Sequence, residues 1–99
     1  LNDTQINVTA PGSASGNVIG INALSGSTVT INGSNTAITS SLTGTRGSSI
    51  ALTTDESSEQ EMQGGILSVS GAGTTTVPTQ GSAVLNSVTC ITNGITGAC

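Results

Sequence analysis

The first ten residues, LNDTQINVTA, set Ile6, Val8 and Ala10 on one side of an extended chain and Gln5, Asn7 and Thr9 on the other. This is the period-2 alternation of a half-buried β-strand. Pro11 to Gly16 (PGSASG) breaks the pattern and reads as a loop or hinge. From Asn17 to Leu24, NVIGINAL is more continuously apolar, as in a strand covered on both faces, with Gly20 marking a bulge inside it. Alternation returns in STVTI (Ser27 to Ile31), with Val29 and Ile31 inward. Asn32-Gly33 is the signal of a two-residue hairpin, but that register sets Val29 opposite Thr36. A four-residue loop from Asn32 to Asn35 sets Val29 opposite Ile38 and keeps Ile38, Ser40 and Leu42 on one side. Register follows the buried face, so the longer loop is expected.

After the turn Thr43 to Gly47, SSIALTT (Ser48 to Thr54) forms another strand that buries Ile50 and Leu52. DESSEQEMQGG (Asp55 to Gly65) departs from the rest by holding four of the five acids and the single Met. Asp55 caps a short helical turn ended by Gly64-Gly65, or the stretch is an acidic surface loop. Strand patterning resumes at ILSVS (Ile66 to Ser70), pauses at Gly71-Ala72-Gly73, and continues through TTTVP, AVLNSVTCIT (Ala83 to Thr92) and the tail NGITGAC. Seven or eight short strands punctuated by turns predict an all-β fold, a small antiparallel β-sandwich. No period of fixed length repeats, which argues against a solenoid.

Composition changes the picture in two respects. Of 99 residues, 33% are hydrophobic and none is Phe, Trp or Tyr, so the core is built from Val, Ile, Leu, Ala and Thr methyls, side chains suited to strands. A domain of this size is near the limit at which its own core suffices, and external support is expected. The charge is −4, from one Arg and five acids with no Lys. A chain without a basic patch or a stacking aromatic is not a nucleic-acid binder, and no apolar run approaches the roughly 20 residues of a spanning helix, so no membrane insertion is expected.

Side-chain chemistry excludes most catalysis. With no His, Lys or Tyr, neither a Ser-His-Asp or Cys-His arrangement nor a Schiff base can be assembled. Glu56, Glu59 and Glu61 leave only a carboxylate pair, without an aromatic platform to hold a sugar, and the chain is read as not an enzyme. Calcium is the one ligand that the residue types suit, at Asp55, Glu56, Glu59 and Glu61, although their spacing is not that of an EF-hand; no cofactor is required. Thr-x-Thr matches are too few and irregular for an ice-binding face. Cys90 and Cys99 read as a disulfide closing the tail, with a bond between subunits as the alternative. Three sequons, at Asn2, Asn7 and Asn32, are glycosylation candidates. Together with a first residue that is Leu1 rather than Met, they favour a processed, extracellular or cell-surface protein.

An apolar row at Ile6, Val8 and Ala10, a proline and glycine hinge, and a Ser/Thr/Gly-rich β-domain give a layout that resembles secreted pilus subunits of the donor-strand type, including the thread-like pili of archaea and bacteria. The resemblance implies a division into an N-terminal donor strand (1–11), a hinge (12–16) and a β-sandwich domain (17–99). The donor inserts Ile6, Val8 and Ala10 into a neighbour and turns Asn7 outward. At 99 residues including the donor, the chain is short for such a subunit. The function expected is a structural subunit of an extracellular pilus-like filament, a homopolymer that assembles by strand donation. The alternative is a monomeric secreted module that binds glycans or cell wall.

Overall fold

The computed structural model describes residues 1–10, 17–42, 47–80 and 83–99, the side chains of 77–80 and 98 excepted. The expected hinge at 12–16 and most of the turn at 43–47 lie outside the described residues. Alternating β-branched side chains form strands along nearly the whole of the rest: β1 (Gln5–Ala10), β2 (Asn17–Ala23), β3 (Thr28–Asn32), β4 (Ala37–Leu42), β5 (Ser48–Thr54), β6 (Glu59–Gln63), β7 (Ile66–Gly71), β8 (Thr74–Gln80), β9 (Ala83–Asn86), β10 (Thr89–Thr92) and β11 (Ile95–Ala98). The fold is all-β, with no helix among the described residues.

The strands do not form an antiparallel sandwich. They lie in three sheets, ordered β1-β4-β7-β10-β11, β2-β5-β8 and β3-β6-β9. Each strand up to β7 pairs in parallel with the strand three places further on, so the chain visits the three sheets in turn and climbs one strand per circuit. The result is a three-sided parallel β-solenoid. The hairpin β10–β11 is the one antiparallel pair among the described strands.

The expected antiparallel partnership of β3 with β4 is also corrected. Val29 lies beside Gln60, while Ile38 lies between Ile6 and Leu67. A hairpin would satisfy one edge of each strand; stacking gives β4 two ladder neighbours and sets Ile38 between two apolar side chains, while β3 gains one neighbour in β6. Ile6, Ile38, Leu67 and Cys90 form one inward row, and Ile31, Met62 and Leu85 another. The solenoid escapes a search for a fixed period because its circuits shorten. Gln5 lies beside Ala37, Ala37 beside Ile66 and Ile66 beside Thr89, offsets of 32, 29 and 23 residues.

One corner recurs on every circuit. Asn2-Asp3, Asn32-Gly33, Gln63-Gly64 and Asn86-Ser87 each join an amide residue to one with positive φ, at 45°, 111°, 74° and 55°. Backbone bonds stack the corners: Asp3 N–H donates to the Asn32 carbonyl (3.0 Å), Gly33 N–H to Gln63 (3.1 Å) and Gly64 N–H to Asn86 (2.9 Å). At Gly33 a Cβ would strike the Asp3 carboxylate, so the left-handed conformation and the space both require glycine there.

Ile31, Ile38, Ala51, Leu52, Met62, Leu67, Val69 and Cys90 form the buried core, with Ile6, Ile21, Val29, Leu85 and Val88 packed against it. The sheets containing β4 and β5 approach closely. The Ser40 hydroxyl donates to the Ile50 carbonyl and the Ser49 hydroxyl to the Ser40 carbonyl, both at 2.8 Å. Gly20 permits this approach, because a Cβ there would come within 2.6 Å of both the Ala51 carbonyl oxygen and an Ile38 methyl.

Candidate functional site

The residues singled out by sequence do not converge on one cleft. Asp55 sits at the corner between β5 and β6, which is a turn rather than a helix cap. Its carboxylate accepts from Ser25 N–H (2.7 Å) on the preceding circuit and from the Ser57 N–H (3.1 Å) and hydroxyl (2.9 Å). These donors, Ser25 first, with the Ser58 hydroxyl, hold its pKa at about 2, below the ordinary 3.8. Asp55 is thus a corner tie between two circuits. The acidic loop expected around it becomes β6, on which Glu59 and Glu61 are exposed on the outer face, while Glu56 is exposed in the turn. Among the described residues no group of three or more His, Cys, Asp and Glu stands close enough to hold a metal ion.

Gln60 points into the solenoid between Glu59 and Glu61, 1% exposed. Its Nε2 donates to the carbonyls of Thr53 (3.0 Å) and Ile21 (3.4 Å), whereas its Oε1 and the buried Thr54 hydroxyl have no hydrogen-bond partner. Asn2, Asn7 and Asn32 are all exposed. Asn2 and Asn32 stack at a corner, and Asn7 lies on the outer face of β1.

The two ends of the solenoid carry the most information. At the N-terminal end β1, β2 and β3 are the first, edge strands of the three sheets. Ile6, Val8 and Ala10 face inward, half-buried, beside Ile38, Ser40 and Leu42 of the same chain. Ala37 N–H donates to the Thr4 carbonyl, and in a parallel ladder this phase turns the even-numbered residues of β1 to β4 and the N–H and C=O of Gln5, Asn7 and Thr9 to the outer edge. Leu1 to Asp3 meet the end of β3, where the Leu1 amine donates to Thr30 O (2.7 Å) and Asn32 N–H to Leu1 O (2.8 Å).

The C-terminal end is stepped. The first sheet runs on through β10 and β11, two strands beyond β8 and β9, the last strands of the other two sheets. Asn93 (φ 48°) and Gly94 (φ 81°) make the tight turn between β10 and β11, and the Asn93 side-chain oxygen accepts from Gly71 N–H at 2.8 Å. A disulfide joins Cys90, in the core, to Cys99 within the chain, with 5.3 Å between their Cα atoms. In β8, Pro78 has no N–H to offer.

Sequence reasoning found β1 but missed β2 and β3 as edges and Ile95 as an exposed residue. A signal was present: residues 4–45 and 62–99 contain no charged side chain, and all charges but Asp3 fall between 46 and 61. The strands at both ends of the solenoid are therefore uncharged. No helix among the described residues is long and apolar enough to cross a membrane. The disulfide fits a non-reducing environment. No family model matches the chain, and neither a curated protein nor a solved structure matches it.

Proposed function

We propose that the chain is a structural subunit of an extracellular, pilus-like assembly that adds to a neighbour through the strand edges of its N-terminal end. The observation that carries this reading is the set of uncharged strand edges offered by β1, β2 and the start of β3. Exposed edges are templates for pairing, and proteins that stay monomeric blunt them with lysines, prolines, bulges or covering loops. The chain has no Lys at all, and neither β1 nor β2 contains a proline. In this reading β1 works in place, extending its own sheet into the neighbour's, rather than leaving β4 to be inserted elsewhere. Exposed Asn2, Asn7 and Asn32 are the positions at which glycans would decorate the assembly.

Asn7→Pro tests the proposal. It removes one outward N–H and leaves the ladder to β4 intact. Light scattering and negative-stain microscopy should show filaments from the unaltered chain, and the variant should stop short of them while keeping its melting temperature. An Asn7→Pro chain that assembles like the parent would overturn the proposal. Monodisperse monomers from the parent would return the protein to the class of secreted recognition modules, to be tested on a glycan array.

A further inference from the structure

A filament needs two contacts per subunit, and the N-terminal edges supply one. We propose that the stepped C-terminal end is the second, and that it takes the same end of another copy of this chain. The inference rests on the N-terminal reading for filament growth, but not for the pairing itself.

The argument begins with Ile95. Directly opposed residues of an antiparallel pair share a face, and Ile95 lies opposite Thr92, which lies beside Val69. Ile95 therefore continues the inward row Val8, Ser40, Val69, Thr92. Val69 is fully buried, yet Ile95 is 76% exposed, because its sheet overhangs the other two by two strands, about 9–10 Å. Below the overhang Leu85 and Val88 are only half-buried. The exposed face is a continuation of the core and lacks what would cover it.

Shape and charge select the occupant. The N-terminal end of a second copy cannot fill the step: each of its three sheets ends there in one strand of the first circuit, with no two-strand recess, so one sheet would strike the overhang before the other two reached β8 and β9. The end that fits is the same step turned about a two-fold axis, an isologous contact. Each copy's β10–β11 hairpin then stands over the other's β8 and β9, and each Ile95 is covered. Identical faces usually meet at the cost of like-charge repulsion, but residues 62–99 carry no charged side chain. Alternating N-to-N and C-to-C contacts, each closed on itself, make an unbranched filament.

Four chains test this by size-exclusion chromatography with light scattering: the parent, Ile95→Asp, Asn7→Pro and the double variant, with circular dichroism melts to show that each is folded. The expected result is filaments from the parent, dimers from each single variant and monomers from the double. Ile95→Asp chains that reach the parent's length would overturn the proposal. So would a parent that forms dimers unaffected by Ile95→Asp but dissolved by Asn7→Pro, which would leave the N-terminal contact standing. Dimers dissolved by Ile95→Asp and indifferent to Asn7→Pro would uphold the C-terminal contact while the N-terminal one fails. If either single variant reduces filaments directly to monomers, the contact is head-to-tail and the same-end pairing is wrong.

Discussion

The first and second circuits of the solenoid place similar side chains at equivalent inward positions with different outcomes. Ile6 and Ile38 are neighbours in one row, yet Ile38 is fully buried and Ile6 half-buried. The same holds across β2 and β5, where Ile21 is half-buried and Leu52, beside it, fully buried. Sequence alone makes each of these positions inward. At these two positions burial is completed by a circuit above and a circuit below, and the first circuit has only one of these, although Val18, Ala23 and Ile31 of the same circuit are buried without it. The second circuit also lies in the part of the chain with nearly all the charge, while the first has uncharged strands. The difference teaches that the terminal circuit is patterned like an interior one while its inward row in β1 and Ile21 in β2 stay half-buried.

The comparison breaks most directly by truncating the pair. Ile38→Ala should cost about 2–5 kcal/mol in urea unfolding, as large-to-small changes in closed cores do. Ile6→Ala should cost about 1–2 kcal/mol in dilute, unassembled protein, because less apolar area returns to water. Raising the protein concentration through the assembly threshold should increase the Ile6→Ala loss and leave Ile38→Ala nearly unchanged. Equal losses at high dilution would mean that the first circuit is as closed as the second.

Much of this was legible in the chain, and the failures share one cause. QINVTA and STVTI become strands with the inward residues expected, because side-chain direction is a property of the local backbone; ILSVS also becomes a strand, and SSIALTT becomes β5 with Ser49 and Ala51 buried as fully as the expected Ile50 and Leu52. Which strand lies beside which is a non-local choice. Val29 and Ile38 match well as hairpin partners, but the corner after Asn32 turns the chain onto another sheet, where the Thr36 hydroxyl donates to the Asn32 carbonyl at 2.8 Å. DESSEQEMQGG reads as a loop because its acids outnumber its apolar residues, yet Gln60 and Met62 alternate with Glu59, Glu61 and Gln63. A buried glutamine takes the place of an aliphatic side chain, and so hides the strand. The recurring amide followed by a left-handed residue was the available sign of a solenoid, obscured by circuits of unequal length.

The C-terminal end sharpens the contrast with the first circuit, since its last strand is fastened covalently. Replacing Cys90 and Cys99 together with Ala should cost roughly 2–3 kcal/mol, from the closure of a short loop in the unfolded chain. Hydrogen exchange should then show β11 amides losing protection while the amides linking β4 to β7 keep theirs. Uniform loss across all three sheets would mean that the hairpin organises the whole stack rather than finishing one side of it.

The smallest effect concerns the tie between the first and second circuits at Asp55. Its folded-state pKa of about 2 lies below the ordinary 3.8, so ionised Asp55 contributes stability that is fully present above the ordinary value. That contribution is lost as pH falls through the folded value. Melting temperature should therefore decline between about pH 4 and pH 2, and Asp55→Asn should flatten part of that decline while lowering stability at neutral pH. The carboxylate is solvent-exposed, so the change should be small and weakened by salt. Its placement matters more than its size: Ser25 and Gly26 belong to the first circuit and donate to Asp55 and Ser57 of the second. Losing the tie should loosen the corner between β2 and β3 before any other. If exchange at Ser25 and Gly26 is the same in Asp55→Asn as in the parent at neutral pH, the first circuit is held by its ladders alone, and the corner tie contributes nothing to keeping the N-terminal edge ready for a neighbour.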